Sequence, residues 1–193
     1  MTRSRIALIA LLAGLVVLAF WLQQQDQWQD VLVFYSDPAR FKVWSLITTP
    51  WVHLSWSHVA MNSAALCLLV LLTMDYWSAR DLINGLIIIS AISGLIVWGL
   101  AWISGSVISF VGLSAVLHGL FICSVLRLAD DRRWIAIAAI TVICVKVLAE
   151  ILGWQPSHFV GDKVGWLHGA GLLAGLAYYV IGKRTLRSAF GQQ

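Results

Sequence analysis

The chain has 193 residues, of which 60% are hydrophobic and only 11% are charged. A soluble domain averages roughly 25% charged residues, so this composition excludes an ordinary soluble protein and predicts one all-α polytopic membrane domain over residues 1–193. The net charge of +4 does not indicate nucleic-acid binding, because the basic residues lie at the ends of apolar segments, where they set membrane topology.

Six apolar segments each approach the ~20 residues that a helix needs to cross a bilayer core. Backbone polar groups in lipid must be satisfied within the segment itself, which makes helices the expected structure. The predicted helices cover residues 5–22, 57–75, 82–103, 113–128, 134–152 and 164–182, and residues 23–56 form a long outer loop. We therefore predict a bundle of six transmembrane helices.

Basic residues alternate with the predicted spans. Four clusters precede helix 1, separate helices 2 and 3, separate helices 4 and 5, and follow helix 6: Arg3 and Arg5, Arg80, Arg127 with Arg132 and Arg133, and Lys183 with Arg184 and Arg187. An even number of spans puts all four clusters on one side of the membrane, which the positive-inside rule makes cytoplasmic. We expect both termini there, and the loops 23–56, 104–112 and 153–163 on the outer side.

Polar residues stand at the outer ends of three predicted helices. Ser114 opens the fourth helix, His58 and Asn62 lie in the first turns of the second, and His168 begins the sixth. A lone serine at a helix start is commonly a cap or a helix-packing residue. Intramembrane ionisable residues are costly, however, and these side chains share one depth in the predicted topology. Their convergence favours a catalytic site.

His58 and Asn62 are four residues apart and so share a helix face, with His53 just before them. This spacing lacks the paired histidines and the glutamate of the HExxH zinc motif, so we predict neither a metal nor a cofactor. The His58 imidazole, the Asn62 amide and the backbone N–H of Ser114 instead suit an oxyanion hole, which binds the developing charge of a tetrahedral intermediate.

Two histidines are candidate bases for Ser114. His118 lies one turn later on the same helix, whereas His168 comes from another helix and is followed by Gly171 and Gly175. These glycines give a small-residue face that lets two helices pack closely. A base that arrives across a helix interface aligns with the serine hydroxyl better than one fixed on the same helix. The expected base is therefore His168, with His118 as a supporting or substrate-facing group.

Together these motifs resemble the rhomboid family of intramembrane serine proteases. The resemblance rests on four pieces in the expected order: Trp44, His53-x4-His58-x3-Asn62, Gly112-Leu113-Ser114 and His168-x2-Gly171-x3-Gly175. It implies a six-helix fold with a Ser114–His168 dyad. It further implies that His58, Asn62 and the Ser114 amide are the oxyanion donors, and that His53 supports the first loop.

The chain departs from the family pattern at three positions. Ala115 stands where glycine usually follows the serine, His118 stands where an aromatic residue usually supports the base, and Ser45 replaces an arginine after the loop tryptophan. The His118-Gly119 pair and the short chain are closest to the rhombosortase subfamily. That resemblance implies single-pass substrates of the bacterial inner membrane with a C-terminal GlyGly motif, an apolar helix and a basic tail, cut at a site that opens to the periplasm.

Two alternatives stay open within this resemblance: a general rhomboid protease of single-pass membrane proteins, and a non-catalytic rhomboid-like protein that binds membrane clients. A small transporter is disfavoured, because the polar residues cluster near one surface and do not follow a pathway through the midplane.

Overall fold

The computed structural model describes residues 2–154 and 163–190, with side chains up to residue 183. The described residues form eight α-helices: α1 (Arg3–Gln23), α2 (Asp26–Leu32), α3 (Ser45–Thr48), α4 (Trp56–Leu72), α5 (Ala79–Ser104), α6 (Ser114–Leu128), α7 (Arg133–Ile151) and α8 (Val164–Phe190). Two short strands, β1 (Phe34–Tyr35) and β2 (Ser109–Phe110), and two 3-10 helices, Thr49–Trp51 and Met74–Tyr76, complete the secondary structure. Of the predicted outer loop 153–163, residues 155–162 lie outside the described part.

The helices form a polytopic membrane bundle, as the composition predicted. Helices α1, α5, α7 and α8 are long and apolar enough to cross a membrane, and the segment 45–72, bent by 99° before α4, makes a fifth span if it is counted as one. The predicted count of six is not confirmed, because α6 has only 15 residues. At 1.5 Å per residue it is about 22 Å long, short of the ~30 Å hydrocarbon core.

Helix α6 is the centre of the bundle. It packs against α4, α5, α7 and α8, and nine of its residues are buried: Ala115, Val116, Leu117, Gly119, Leu120, Ile122, Cys123, Ser124 and Val125. Helix α7, in contrast, buries only Ala136 and Val147 among its described residues, and most of its other apolar side chains are exposed. A face of that composition is suited to lipid contact.

The segment 23–56, predicted as a loop, has its own structure. It contains α2, α3 and β1, and β1 pairs with β2 in an antiparallel ladder that joins Phe34 to Phe110 and Tyr35 to Ser109. The ladder is extended by Ser36, whose N–H donates to the Ile108 carbonyl at 2.8 Å. Because β2 lies just before Ser114, this ladder ties the segment 23–56 to the start of α6.

The end of the same segment is anchored to the helices. The Ser90 hydroxyl of α5 donates to the Leu46 carbonyl at 2.6 Å, and the Gly112 N–H donates to the Thr49 carbonyl at 3.1 Å. Ser45, which replaces the family's arginine, is fully buried and donates to the Lys42 carbonyl at 2.5 Å. This hydrogen bond closes the turn between Lys42 and Ser45.

Candidate active site

Glycines bring α6 and α8 into backbone contact. A methyl group at Gly171 would overlap the carbonyl of Ala115, and one at Gly175 would overlap the carbonyl of Gly119. No larger residue permits this approach, since the neighbouring atoms are backbone and cannot turn aside. The contact sets the start of α8, which carries His168, beside the start of α6.

Ser114 is the first residue of α6. The cap position belongs to Leu113, which makes no side-chain capping bond, so Ser114 is not used as an N-cap. The backbone N–H groups of a first helical turn have no partner within the helix and are available to an anion. The serine is half-buried, and it lines both a cavity of about 750 Å³ on the loop side and one of about 350 Å³ between α4, α6, α7 and α8.

Gly112 lets the chain before Ser114 lie directly on His58 and Asn62. Its φ is +101°, and an added methyl group would come within 2.6 Å of His58 Cε1 and 3.3 Å of Asn62 Nδ2. The Leu54 N–H approaches His58 Nδ1 at 3.5 Å, which favours the tautomer with a proton on Nε2. Asn62 Nδ2 is buried and makes no hydrogen bond within the described residues. Two N–H donors therefore lie beside Gly112, two residues before Ser114, and each of their residues lines a cavity together with Ser114.

His53 packs against His58 from the loop side. It is 3% exposed, and its ring meets that of His58 edge to face, with the centroids 5.0 Å apart. The predicted residues His53, His58 and Asn62 are thus close together in the structure.

His168 is 6% exposed and has one engaged and one open nitrogen. Its Nδ1 lies 2.7 Å from Glu150 Oε2, while Nε2 is buried without a partner among the described residues. His118 stacks on this ring with centroids 4.0 Å apart, so a second imidazole lies against the face of His168. The His118 nitrogens contact the Ser114 carbonyl at 2.7 Å and Lys146 at 3.0 Å.

Two residues of this cluster, Lys146 and Glu150, were not among the predicted site residues. They form an ion pair of 2.8 Å on α7, and both contact His168. The sequence carries a signal for them: opposite charges four apart inside the apolar stretch 134–152. Such charges inside a span are costly, so they indicate a function or a partner. The topology signal lies in the charges at the segment ends, which do not include this pair.

A comparison with protein families matches residues 40–185, most of the chain, to the Rhomboid domain. The chain belongs to the rhomboid family. Rhomboid proteins are generally intramembrane serine proteases that act on membrane-protein substrates within the bilayer, which agrees with the integral multi-pass fold found here. The match is to the rhomboid family as a whole and does not distinguish the rhombosortase subfamily. No individual curated protein matches this chain.

Proposed function

We propose that this rhomboid protein is an intramembrane serine endopeptidase with Ser114 as nucleophile and His168 as general base. The observation that carries the proposal is the open nitrogen of His168, buried in a helix cluster whose 350 Å³ cavity Ser114 also lines. Both nitrogens of His118 are engaged, which disfavours the alternative base. In the first step the Ser114 hydroxyl proton passes to His168 Nε2 while Oγ attacks the substrate carbonyl.

The charge that develops on the carbonyl oxygen needs hydrogen-bond donors. His58 Nε2–H, the Asn62 amide and the Ser114 N–H are the proposed donors. Their support is the contact of Gly112 with His58 and Asn62, together with the unpartnered Asn62 Nδ2. Donors fixed by packing cost little reorganisation during the reaction, and each typically contributes ~10²–10³ in rate.

For the substrate class, we propose single-pass proteins with a C-terminal GlyGly motif, an apolar helix and a basic tail. The basis for this assignment is the resemblance of the His118-Gly119 pair to the rhombosortase subfamily. A helix must unwind before its peptide bond reaches a serine, and glycine lowers that cost. With the basic segment ends cytoplasmic, the site opens to the periplasmic face of a bacterial inner membrane.

The test is cleavage of a model substrate with these three parts, by the wild type and Ser114→Ala in the same membranes. A matched substrate with both glycines replaced by valine is the specificity control. We expect cleavage near the glycines by the wild type alone. Equal cleavage of both substrates indicates a general rhomboid protease. If the wild type cleaves neither of these substrates nor a generic rhomboid substrate, the enzymatic proposal is overturned in favour of client binding.

A further inference from the structure

We propose that Glu150 is a positioning residue that holds His168 in the tautomer and orientation required to accept the Ser114 proton, with Lys146 fixing the Glu150 carboxylate. This inference rests on the proposed function and extends its Ser114–His168 dyad to a third side chain. Both oxygens of Glu150 are engaged, Oε2 with His168 Nδ1 at 2.7 Å and Oε1 with Lys146 Nζ at 2.8 Å.

The hydrogen-bond directions around His118 follow from its partners. A carbonyl oxygen only accepts, so the 2.7 Å contact with the Ser114 carbonyl puts a proton on His118 Nδ1. The other nitrogen, Nε2, is then an acceptor for the Lys146 ammonium at 3.0 Å. Lys146 thereby has two well-defined acceptors, His118 Nε2 and Glu150 Oε1.

His168 Nδ1 has two neighbours that demand opposite roles. Lys146 Nζ lies 3.1 Å away and can only donate, whereas Glu150 Oε2 lies 2.7 Å away and, when ionised, can only accept. The carboxylate contact is the shorter, an unprotonated Nδ1 would face the carboxylate lone pair to lone pair, and Lys146 has its two other acceptors. The proton therefore lies on Nδ1 and points to Glu150. The lone pair is left on Nε2, the open atom.

This arrangement matters when the proton moves. The Ser114 Oγ–H bond breaks, a new N–H bond forms on His168 Nε2, and Oγ bonds to the substrate carbonyl carbon. The resulting imidazolium keeps its Nδ1–H directed at Glu150, whose negative charge stabilises it without taking a proton. The same imidazolium later returns the Nε2 proton to the leaving amine. Without the carboxylate, neither the tautomer nor the imidazolium is favoured.

The backbone holds Glu150 in place as well. A methyl group at Gly165 would lie 2.5 Å from the Ile151 nitrogen and 2.9 Å from Glu150 Cβ. The end of α7 therefore lies directly against the start of α8, three residues before His168. The simpler interpretation is an ion pair that only joins α7 to α8, since a buried charge needs a partner. The two interpretations differ in what they predict for the His168 tautomer and for kcat.

The variant Glu150→Gln distinguishes a positioning role of Glu150 from a purely structural ion pair. Lys146 donates to the amide oxygen of the new glutamine, so the amide NH₂ faces His168 Nδ1 and favours the tautomer with the proton on Nε2. That form cannot accept the Ser114 proton. In the double variant Lys146→Met/Glu150→Gln the amide is free to turn, and its oxygen can again accept from Nδ1–H. A purely structural ion pair predicts the opposite order, with the double variant no better than the single one.

The first measurement is ¹⁵N NMR of histidine-labelled protein, with His168 assigned by comparison with His168→Asn. We expect Nδ1–H in the wild type, Nε2–H in Glu150→Gln and a return to Nδ1–H in the double variant. A wild-type His168 protonated on Nε2 overturns the inference even if every variant fails to fold. Because no substrate is needed, this result is independent of whether the protein is a protease.

The second measurement is kcat and KM on the model substrate. We expect Glu150→Gln to lower kcat by about 10²- to 10⁴-fold with KM unchanged, and the double variant to recover part of that loss. The control is Asp75→Asn, which removes an exposed carboxylate paired with Arg5 after the far end of α4. An unchanged kcat in folded Glu150→Gln overturns the inference. A wild type that cleaves nothing counts against the proposed function and leaves the NMR result to decide the tautomer.

Discussion

The imidazole rings of His118 and His168 are stacked, with their centroids 4.0 Å apart and their planes 17° apart. The two residues come from different helices, and Lys146 Nζ contacts one nitrogen of each ring, His118 Nε2 at 3.0 Å and His168 Nδ1 at 3.1 Å. His118 is held by the Ser114 carbonyl and Lys146, so it acts as a platform on which His168 rests. His168 Nε2 has no partner among the described residues, which supports the proposal that His168 is the base and His118 the supporting ring.

Removing the two rings has unequal effects. We expect His168→Ala to abolish cleavage, because the base is lost, and His118→Ala to lower kcat by about 2- to 10-fold, since an aromatic pair contributes about 0.5–1.5 kcal/mol. His118→Phe keeps the stacked ring and should retain more activity than His118→Ala. The measurement is kcat on the model substrate. An inactive His118→Ala beside an active His168→Ala would show that the base assignment is wrong.

Substitutions of Asn62 test its proposed role as a donor in the oxyanion hole. We expect Asn62→Ala to lower kcat by about 10²- to 10³-fold with little change in KM, because the donated hydrogen bond forms only when charge develops. Asn62→Asp has nearly the same shape but exchanges the donor for a negative charge, so it should be at least as impaired. If Asn62→Asp keeps activity that Asn62→Ala loses, Asn62 is needed for its shape alone.

The sequence predicted the features of this fold that depend on residue type and spacing. The polytopic helical class followed from composition, and the close α6–α8 contact followed from Gly171 and Gly175. The structure brings the predicted residues Ser114, His168 and Asn62 into one region. Their catalytic roles stay predictions.

Some features of the structure leave no pattern of residue type or spacing in the sequence, and others are masked by a stronger pattern. The strands β1 and β2 have two residues each, too few to show a period, and they pair across the sequence from Phe34 to Phe110. Lys146 and Glu150 were hidden because a span is recognised by its average apolarity, which two charges hardly change. The predicted count of six spans is not confirmed, because α6 is apolar but has only 15 residues.

Gly112 tests the loop that leads into Ser114. We expect Gly112→Ala to abolish cleavage, because φ of +101° disfavours any side chain and the new methyl group would push on His58 and Asn62. Gly105→Ala is the matched control: its φ is +62°, but nothing lies within 4 Å of an added methyl group. The control should lose some stability and keep its cleavage rate per folded molecule. Equal loss of rate in both variants would contradict a role for the contact with His58 and Asn62.

The contact between α6 and α8 gives the last prediction. Gly171→Ala and Gly175→Ala each insert a methyl group into backbone atoms of the facing helix, so α8 must move away from Ala115 and Gly119. Overpacking typically costs about 1–3 kcal/mol, and the same displacement carries His168 away from Ser114. We therefore expect a lower Tm in detergent together with a loss of kcat in the fraction that remains folded. Gly182→Ala is the control on the same helix, since nothing lies within 4 Å of its added methyl group and alanine favours a helix. Unchanged kcat in folded Gly171→Ala would mean that Ser114 and His168 do not depend on this interface for their alignment.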